Sequence, residues 1–191
     1  YYIRTQKKFP YKLKICYNKN SRLFWESAHK QITTQKDFTK KRCFNMKCIG
    51  IIGAMEQEVA RIKEKMQHVT ITTKASMDFY EGTLEGKKVV VVRSGIGKVN
   101  AGMCTQILTD VYHVEAVINT GIAGSLNNDV NIGDIVLSTD VLHHDMDATG
   151  FGYKKGQIPQ MEEFSFPADE KLRKLAAKVC GEVNPEISVF E

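Results

Sequence analysis

Two carboxylates, Glu56 and Glu58, directly follow a short apolar run that ends at Gly53. A carboxylate can act as a general base when the fold holds it beside a bound substrate. The residues before Gly53 are apolar and mostly β-branched, which predicts a buried strand, and glycine lets the chain leave the sheet sharply. After Gly53, apolar residues recur at the spacing of a helix. The pattern therefore places Glu58 near the carboxyl end of a strand, where open α/β sheets bind ligands.

Glu58 also has a purely structural interpretation. Acidic residues are common in the first turn of a helix, because the helix dipole stabilises negative charge there. Taken alone, the residue fits this role better than a catalytic one. A dinucleotide site is a weaker alternative, since residues 50–53 (GIIG) lack the G-x-G-x-x-G spacing that a pyrophosphate needs. The choice between these roles depends on the rest of the chain.

Two more predicted strands end in glycine-rich turns. Residues 88–93 lead into the turn 94–98 (SGIGK), and residues 116–119 lead into the turn 120–125 (TGIAGS). Predicted helices separate the strands, as in a mostly parallel sheet, so the three turns should gather at one sheet edge. Small residues there let the backbone approach a ligand closely. The glycines of any one turn could be there only because the chain reverses direction, but three such turns together favour a binding cleft.

The later part of the chain predicts one long strand at residues 133–142, followed by a loop at residues 148–160. In this loop Phe151 and Tyr153 lie between glycines, and Pro159 follows the last of them. Exposed aromatic side chains on a loop indicate contact with another surface. That surface could be the core of the same subunit or a pocket of a partner subunit.

Composition predicts one soluble globular domain, since 42% of the 191 residues are hydrophobic and 26% are charged. Residues 1–45 hold 12 of the 27 Lys and Arg but 2 of the 22 Asp and Glu. We predict that they form a basic, disordered extension and that the domain occupies residues 46–191. The extension has neither the apolar run of a secretory signal nor a patterned nucleic-acid motif, so we expect no nucleic-acid or membrane partner.

The five cysteines show no C-x-x-C or Cys/His metal spacing. Their odd number and scattered positions predict reduced thiols in the cytoplasm. His143 and His144 are adjacent, so on a strand they would point to opposite faces and could not share a metal ion. We therefore predict neither a metal site nor a cofactor.

Five motifs occur in an order that resembles the 5′-methylthioadenosine/S-adenosylhomocysteine nucleosidases of the nucleoside phosphorylase superfamily. They are residues 50–58 (GIIGAMEQE), 94–99 (SGIGKV), 119–124 (NTGIAG), 130–136 (VNIGDIV) and 144–153 (HDMDATGFGY). The resemblance covers residues 46–191. It implies a three-layer α/β/α sandwich around a mixed, mostly parallel sheet, which we expect to be incomplete at the C-terminus.

This resemblance implies hydrolysis of the N-glycosidic bond of 5′-methylthioadenosine and S-adenosylhomocysteine, giving adenine and a 5-thioribose product. The reaction belongs to methionine salvage and to the recycling of S-adenosylmethionine by-products. Glu58 matches the carboxylate that positions and deprotonates the attacking water. Its charge would also stabilise an oxocarbenium-like ribosyl cation, by analogy with glycoside hydrolysis.

The same resemblance assigns substrate contacts to two groups of residues. Met55 and Ile96 match residues that line the ribose and alkylthio region, and Ile122, Ala123 and Gly124 match the loop beside the nucleoside. Ile122 departs from the family, because many members have Ser or Thr there. Any hydroxyl contact that this loop makes in those members is therefore lost here or comes from another residue.

A third group of residues is implied to act across a homodimer interface. Ala148, Phe151, Tyr153 and Pro159 match the loop that closes the 5′-substituent pocket of the partner subunit. We therefore expect a homodimer when the domain is complete.

The resemblance also implies groups that have no match in this sequence. The family's later Met-Glu ribose clamp and the Asp that assists adenine departure find no counterpart before Glu191, so we expect the 191-residue chain to be inactive by itself. Two alternatives stay open. A purine nucleoside phosphorylase would need a basic group for phosphate, and a non-catalytic nucleoside-binding protein would need none.

Overall fold

The computed structural model describes residues 11–16, 48–183 and 188–190. The strands within these ranges are β1 (Tyr11–Cys16), β2 (Ile49–Gly53), β3 (Gln67–Lys74), β4 (Met77–Leu84), β5 (Lys87–Arg93), β6 (Ala116–Gly121), β7 (Ile135–Leu137), β8 (Asp140–Val141), β9 (Phe166–Pro167) and β10 (Val189–Phe190). The helices are α1 (Glu56–Lys65), α2 (Lys98–Asp110) and α3 (Glu170–Val183), with a short 3-10 helix at Thr149–Phe151.

Eight strands form one mixed sheet in the order β10-β7-β1-β6-β2-β5-β4-β3, while β8 and β9 form a separate antiparallel pair. β2 lies between β5 and β6 and is parallel to both. β3 and β4 extend the sheet in antiparallel fashion. Because β2, β5 and β6 run in one direction, their glycine-rich ends meet at the same sheet edge, as the sequence predicts.

Helices cover both faces of the sheet. Successive side chains of β2 point in opposite directions, so they pack against different helices. Ile51 joins an apolar cluster that includes Val59 of α1, whereas its neighbour Ile52 joins a cluster that includes Leu108 of α2. The four valines of β5 divide between the same two clusters. This arrangement confirms the predicted three-layer α/β/α sandwich around a mixed sheet.

The prediction of one long strand at residues 133–142 is wrong. β7 pairs within the main sheet, but β8 leaves it and pairs with β9. Between β7 and β8, the Thr139 carbonyl accepts the backbone N–H of Ala168 at 2.8 Å. Pairing with a segment that lies beyond the loop thus redirects the chain, and the local apolar pattern carries no sign of this.

The strand β1 differs from the disorder predicted for residues 1–45. It lies between β6 and β7, parallel to β6 over six residue pairs and antiparallel to β7 over two. Its sequence, YKLKIC, alternates apolar residues with lysine, which is the period of a strand. The scattered positive charge of the segment obscured this short pattern. The rest of the predicted extension lies outside the described residues.

Within the described ranges, no helix is both long and apolar enough to cross a bilayer. The same ranges contain no group of three or more His, Cys, Asp and Glu side chains that could hold a metal ion.

Candidate active site

Glu58 occupies the third position of α1 and turns its side chain back toward the start of the helix. Its Oε2 accepts the backbone N–H of Met55, the N-cap residue, at 2.8 Å. This contact is half of a capping box and satisfies a donor that the helix itself leaves unpaired. Glu58 therefore does stabilise the first turn of its helix, as its structural interpretation predicts.

A second contact shows that Glu58 does more than cap its helix. Its Oε1 accepts the backbone N–H of Ile122 at 3.0 Å, although the two residues are 64 positions apart. The side chain is buried, with Glu58 7% exposed. A residue that served the helix dipole alone would need neither burial nor a contact to a second strand. A carboxylate accepts about four hydrogen bonds, so these two contacts are compatible with a role as a base.

The ends of β2, β5 and β6 are joined by hydrogen bonds at this edge. The backbone N–H of Ser94, just beyond β5, donates to the Gly53 carbonyl at the end of β2 at 2.9 Å. Ile122, just beyond β6, reaches the carboxylate of Glu58 as described. The three glycine-rich ends predicted to meet therefore do so, and the carboxylate lies among them.

The predicted substrate-lining residues lie at the ends of the same three strands, with Ile96 on the loop after β5 and Ile122, Ala123 and Gly124 on the loop after β6. Met55 contacts the carboxylate through its backbone and is partly buried. Ile96 is 73% exposed and Ile122 is 53% exposed, while Ala123 and Gly124 are exposed as well. Exposed apolar side chains beside a buried polar group are typical of small-molecule sites. The sequence does not predict that the backbone N–H of Ile122 binds Glu58, because every residue type except proline carries this donor.

The loop with the predicted partner-subunit residues folds largely on itself. Ala148 is buried, and its carbonyl accepts the N–H of Phe151 at 3.0 Å. The hydroxyl of Tyr153 accepts the N–H of Gln160 at 3.3 Å, and Pro159 is partly buried beside it. The Phe151 ring, by contrast, is left outside, with the residue 88% exposed. Its entry into a partner's pocket stays a prediction.

An ion pair ties the segment just before this loop to the glycine turn that follows β5. The Nζ of Lys98, the first residue of α2, donates to both carboxylate oxygens of Asp145, at 2.5 Å for Oδ1. The hydrogen bond from Lys98 lowers the pKa of Asp145 below its usual value. Sequence reasoning missed this pair because the residues are 47 positions apart and no local spacing links them.

The other carboxylate of the opening motif has a different environment. Glu56 is exposed and forms an ion pair with Lys63 at 2.9 Å, and the Nε of Arg93 lies 3.7 Å from its Oε2. Of the two acidic residues in this turn, Glu58 is therefore the one that reaches the meeting point of the strands.

A profile of the phosphorylase superfamily matches residues 48–189. A 5′-methylthioadenosine/S-adenosylhomocysteine nucleosidase of Anoxybacillus flavithermus is 54% identical over 124 residues. The nucleosidase of Colwellia psychrerythraea, solved with adenine, is 42% identical with a TM-score of 0.73. That of Neisseria meningitidis, solved with methylthio-immucillin-A, is 40% identical with a TM-score of 0.72.

These similarities cover most of this chain but a smaller part of each relative. The Anoxybacillus match covers 65% of this chain and 53% of the relative. Each of the two solved structures matches 76% of this chain, which corresponds to 60% of the Colwellia chain and 62% of the Neisseria chain. The chain thus spans between half and two thirds of the length of these relatives.

Proposed function

Because the chain belongs to the phosphorylase superfamily, we propose that it carries the water-activating half of a 5′-methylthioadenosine/S-adenosylhomocysteine nucleosidase. The protein would hydrolyse the N-glycosidic bond and release adenine and a 5-thioribose product. One observation supports this most strongly. The buried Glu58 carboxylate is held by N–H groups from two different strand ends, at the edge where the glycine-rich loops meet.

The proposed chemistry requires a carboxylate that is fixed and close to C1′ of the ribose. As the C–N bond breaks, its electron pair leaves with adenine, which takes up a proton from solvent at a ring nitrogen, and positive charge develops on the ribosyl ring. Glu58 stabilises this charge and removes a proton from water while the water oxygen bonds to C1′. The two backbone N–H groups hold the carboxylate in place before the reaction, so little reorganisation is needed when charge develops.

The apolar side chains on the segments that follow β2, β5 and β6 suit a thioether substituent. Ile96, Ile122 and partly buried Met55 present carbon and sulfur rather than hydrogen-bonding groups. A pocket of this kind favours methylthio over hydroxyl by about 1–3 kcal/mol, since a hydroxyl would lose its hydrogen bonds to water. The adenine and methylthio-immucillin-A in the related structures support the same substrate class.

The assembly and cellular setting belong to the same proposal. The protein would be a cytoplasmic homodimer that acts in methionine salvage, with Phe151 inserted into the pocket of the partner subunit. The exposure of the Phe151 ring on an otherwise self-contained loop supports this assignment.

Arg93 gives one specific reason to keep a phosphorylase as a second candidate. It lies at the end of β5, on the edge where the site is, and a guanidinium is well suited to phosphate. However, its Nε is 3.7 Å from the Glu56 carboxylate. That negative charge opposes phosphate binding, so hydrolysis is the better supported reaction.

Adenine release from 5′-methylthioadenosine in phosphate-free buffer tests the proposal. Because this chain spans about half of the Anoxybacillus relative, the assay uses a fusion protein, in which this chain up to the end of its match is followed by the C-terminal part of that relative beyond the match. We expect steady adenine release. Ligand binding without release would support a non-catalytic binding protein, and release only after phosphate is added would support the phosphorylase.

A further inference from the structure

Gly121, the last residue of β6, lies directly against the carboxylate of Glu58. A Cβ at position 121 would lie 2.3 Å from Oε1, 2.7 Å from Cδ and 3.1 Å from Oε2. These separations are far shorter than van der Waals contact. Alanine therefore cannot occupy the position unless the carboxylate moves.

Backbone conformation does not explain this glycine. Gly121 is buried and belongs to a strand that pairs over all six residues with β1 and over its first four residues with β2, and its φ is outside the left-handed region. Glycine inside a strand weakens the strand, and it often marks a place where another group approaches closely. Here the approaching group is the side chain of Glu58.

The glycine at the end of β2 shows a different kind of crowding. A Cβ on Gly53 would lie 2.7 Å from Cγ1 of Val59 and 3.0 Å from Cβ of Glu58, but 3.4 Å from the nearest carboxylate oxygen. Gly53 therefore makes room for the packing of α1 against the sheet. Gly121 makes room for the charged head group itself.

We propose that Gly121 is a positioning residue: because it has no side chain, the Glu58 carboxylate can lie directly against β6. In this position, Oε1 accepts the Ile122 N–H at 3.0 Å. A side chain at position 121 forces the carboxylate away from β6 and breaks that contact. The contact with Met55 lies within the first turn of α1 and survives, because it does not depend on β6.

Amide proton shifts of the 15N-labelled 191-residue chain measure this displacement without any turnover. A hydrogen bond to a carboxylate is charge-assisted, and its loss moves the donor proton upfield. We expect Gly121→Ala to move the Ile122 amide toward its position in Glu58→Ala, with a smaller change at Met55. Gly181→Ala is the matched control, because a Cβ there meets no atom within 4 Å. It should leave both amides in place.

Two results of this experiment would overturn the proposal. The first is an Ile122 amide that stays at its wild-type position in Gly121→Ala. The second is an equal displacement of the Ile122 and Met55 amides, which would show that the carboxylate is not moved selectively away from β6.

A size exchange tests the same contact even if Gly121→Ala folds poorly. Glu58→Asp withdraws the carboxylate by one methylene. It should lower the thermal midpoint of the wild type but raise that of Gly121→Ala, or restore folded protein where the single variant gives none. If Glu58→Asp lowers the midpoint or the amount of folded protein in both the wild type and Gly121→Ala, the side chain at position 121 does not contact the carboxylate.

The kinetic consequence rests on the proposed function and is measured separately. In the fusion protein, Gly121→Ala should lower kcat by roughly 10²-fold, the scale of a 1 Å misplacement, while KM changes little. If the fusion protein shows no hydrolysis at all, the proposed function fails while the amide shifts still decide the positioning role. If hydrolysis is normal in both proteins, the positioning role alone fails.

Discussion

The described residues form two regions with unlike packing. The carboxylate region, residues 48–121, contains β2–β6 with α1 and α2, and side chains such as Phe79 and Leu108 are completely buried in it. The loop region, residues 122–168, contains three short strands and leaves Leu126 105% and Ile132 88% exposed. The densely packed region thus holds the proposed catalytic group, and the loosely packed region holds most of the proposed binding residues.

This difference follows from what each task requires. A general base acts only when its distance to the reacting atoms is fixed, so it belongs on elements that a core immobilises. Recognition of a variable 5′-substituent tolerates loops that adjust around it. Glu58 and Ile122 join the two regions through one hydrogen bond at their boundary.

The largest effect is expected for Glu58→Gln in the fusion protein. Loss of the general base should lower kcat by about 10²–10⁴-fold. An amide has a single acceptor oxygen, so one of the two N–H donors would face an NH₂ group. Nucleoside binding, followed by calorimetry, should remain measurable. A variant that keeps half of its activity would show that Glu58 is not the general base and has a structural role only.

A matched pair of leucines tests the contrast in packing. Leu108→Ala should lower the free energy of unfolding by about 2–5 kcal/mol, because it leaves a cavity between α2 and the sheet. Leu126→Ala, at a fully exposed position, should change it by less than about 0.5 kcal/mol. Denaturant unfolding of both variants measures this. Similar losses for the two would remove the distinction between the regions.

Two buried cysteines report how readily each part of the fold opens. Burial raises the pKa of Cys104, on α2, to about 12 and that of Cys180, on α3, to about 11. Near pH 7 both are therefore protonated and alkylation requires local opening. α3 packs on the short strand β7, so we expect Cys180 to react about tenfold faster, a difference of roughly 1.4 kcal/mol in opening. Peptide mapping after iodoacetamide gives both rates, and faster reaction of Cys104 would show that α2 opens more readily than α3.

The smallest effect is expected from the ion pair that tethers the loop region to α2. Lys98 lowers the pKa of Asp145, so the pair stabilises the fold above the usual Asp pKa of about 4 and loses this effect as pH falls through the lowered value. Lys98→Met should therefore lower the thermal midpoint slightly at pH 7, with a difference from wild type that shrinks toward pH 2. If the difference in thermal midpoint stays the same from pH 7 to pH 2, the lower midpoint of Lys98→Met comes from lost packing of the lysine methylenes rather than from the ion pair.

Local sequence patterns predicted the carboxylate region well and the loop region poorly. The β-branched runs of β2, β5 and β6 and their glycine-rich ends are signals that reside in adjacent residues, and they placed Glu58 at the correct edge. The break between β7 and β8 and the Lys98–Asp145 pair depend on contacts between distant segments. The six residues of β1 carry a strand period, but their place beside β6 depends on pairing. The substrate class came from the resemblance of ordered motifs, since the physical chemistry of Glu58 specifies a base and not a nucleoside.

The most direct test of the account is the identity of the sugar product when the fusion protein cleaves 5′-methylthioadenosine in excess phosphate. If Glu58 activates water, mass spectrometry will find free 5-methylthioribose in an amount equal to the adenine released. It will also find Glu58→Gln almost without product. Accumulation of 5-methylthioribose 1-phosphate would contradict the account, because phosphate rather than water would then be the nucleophile.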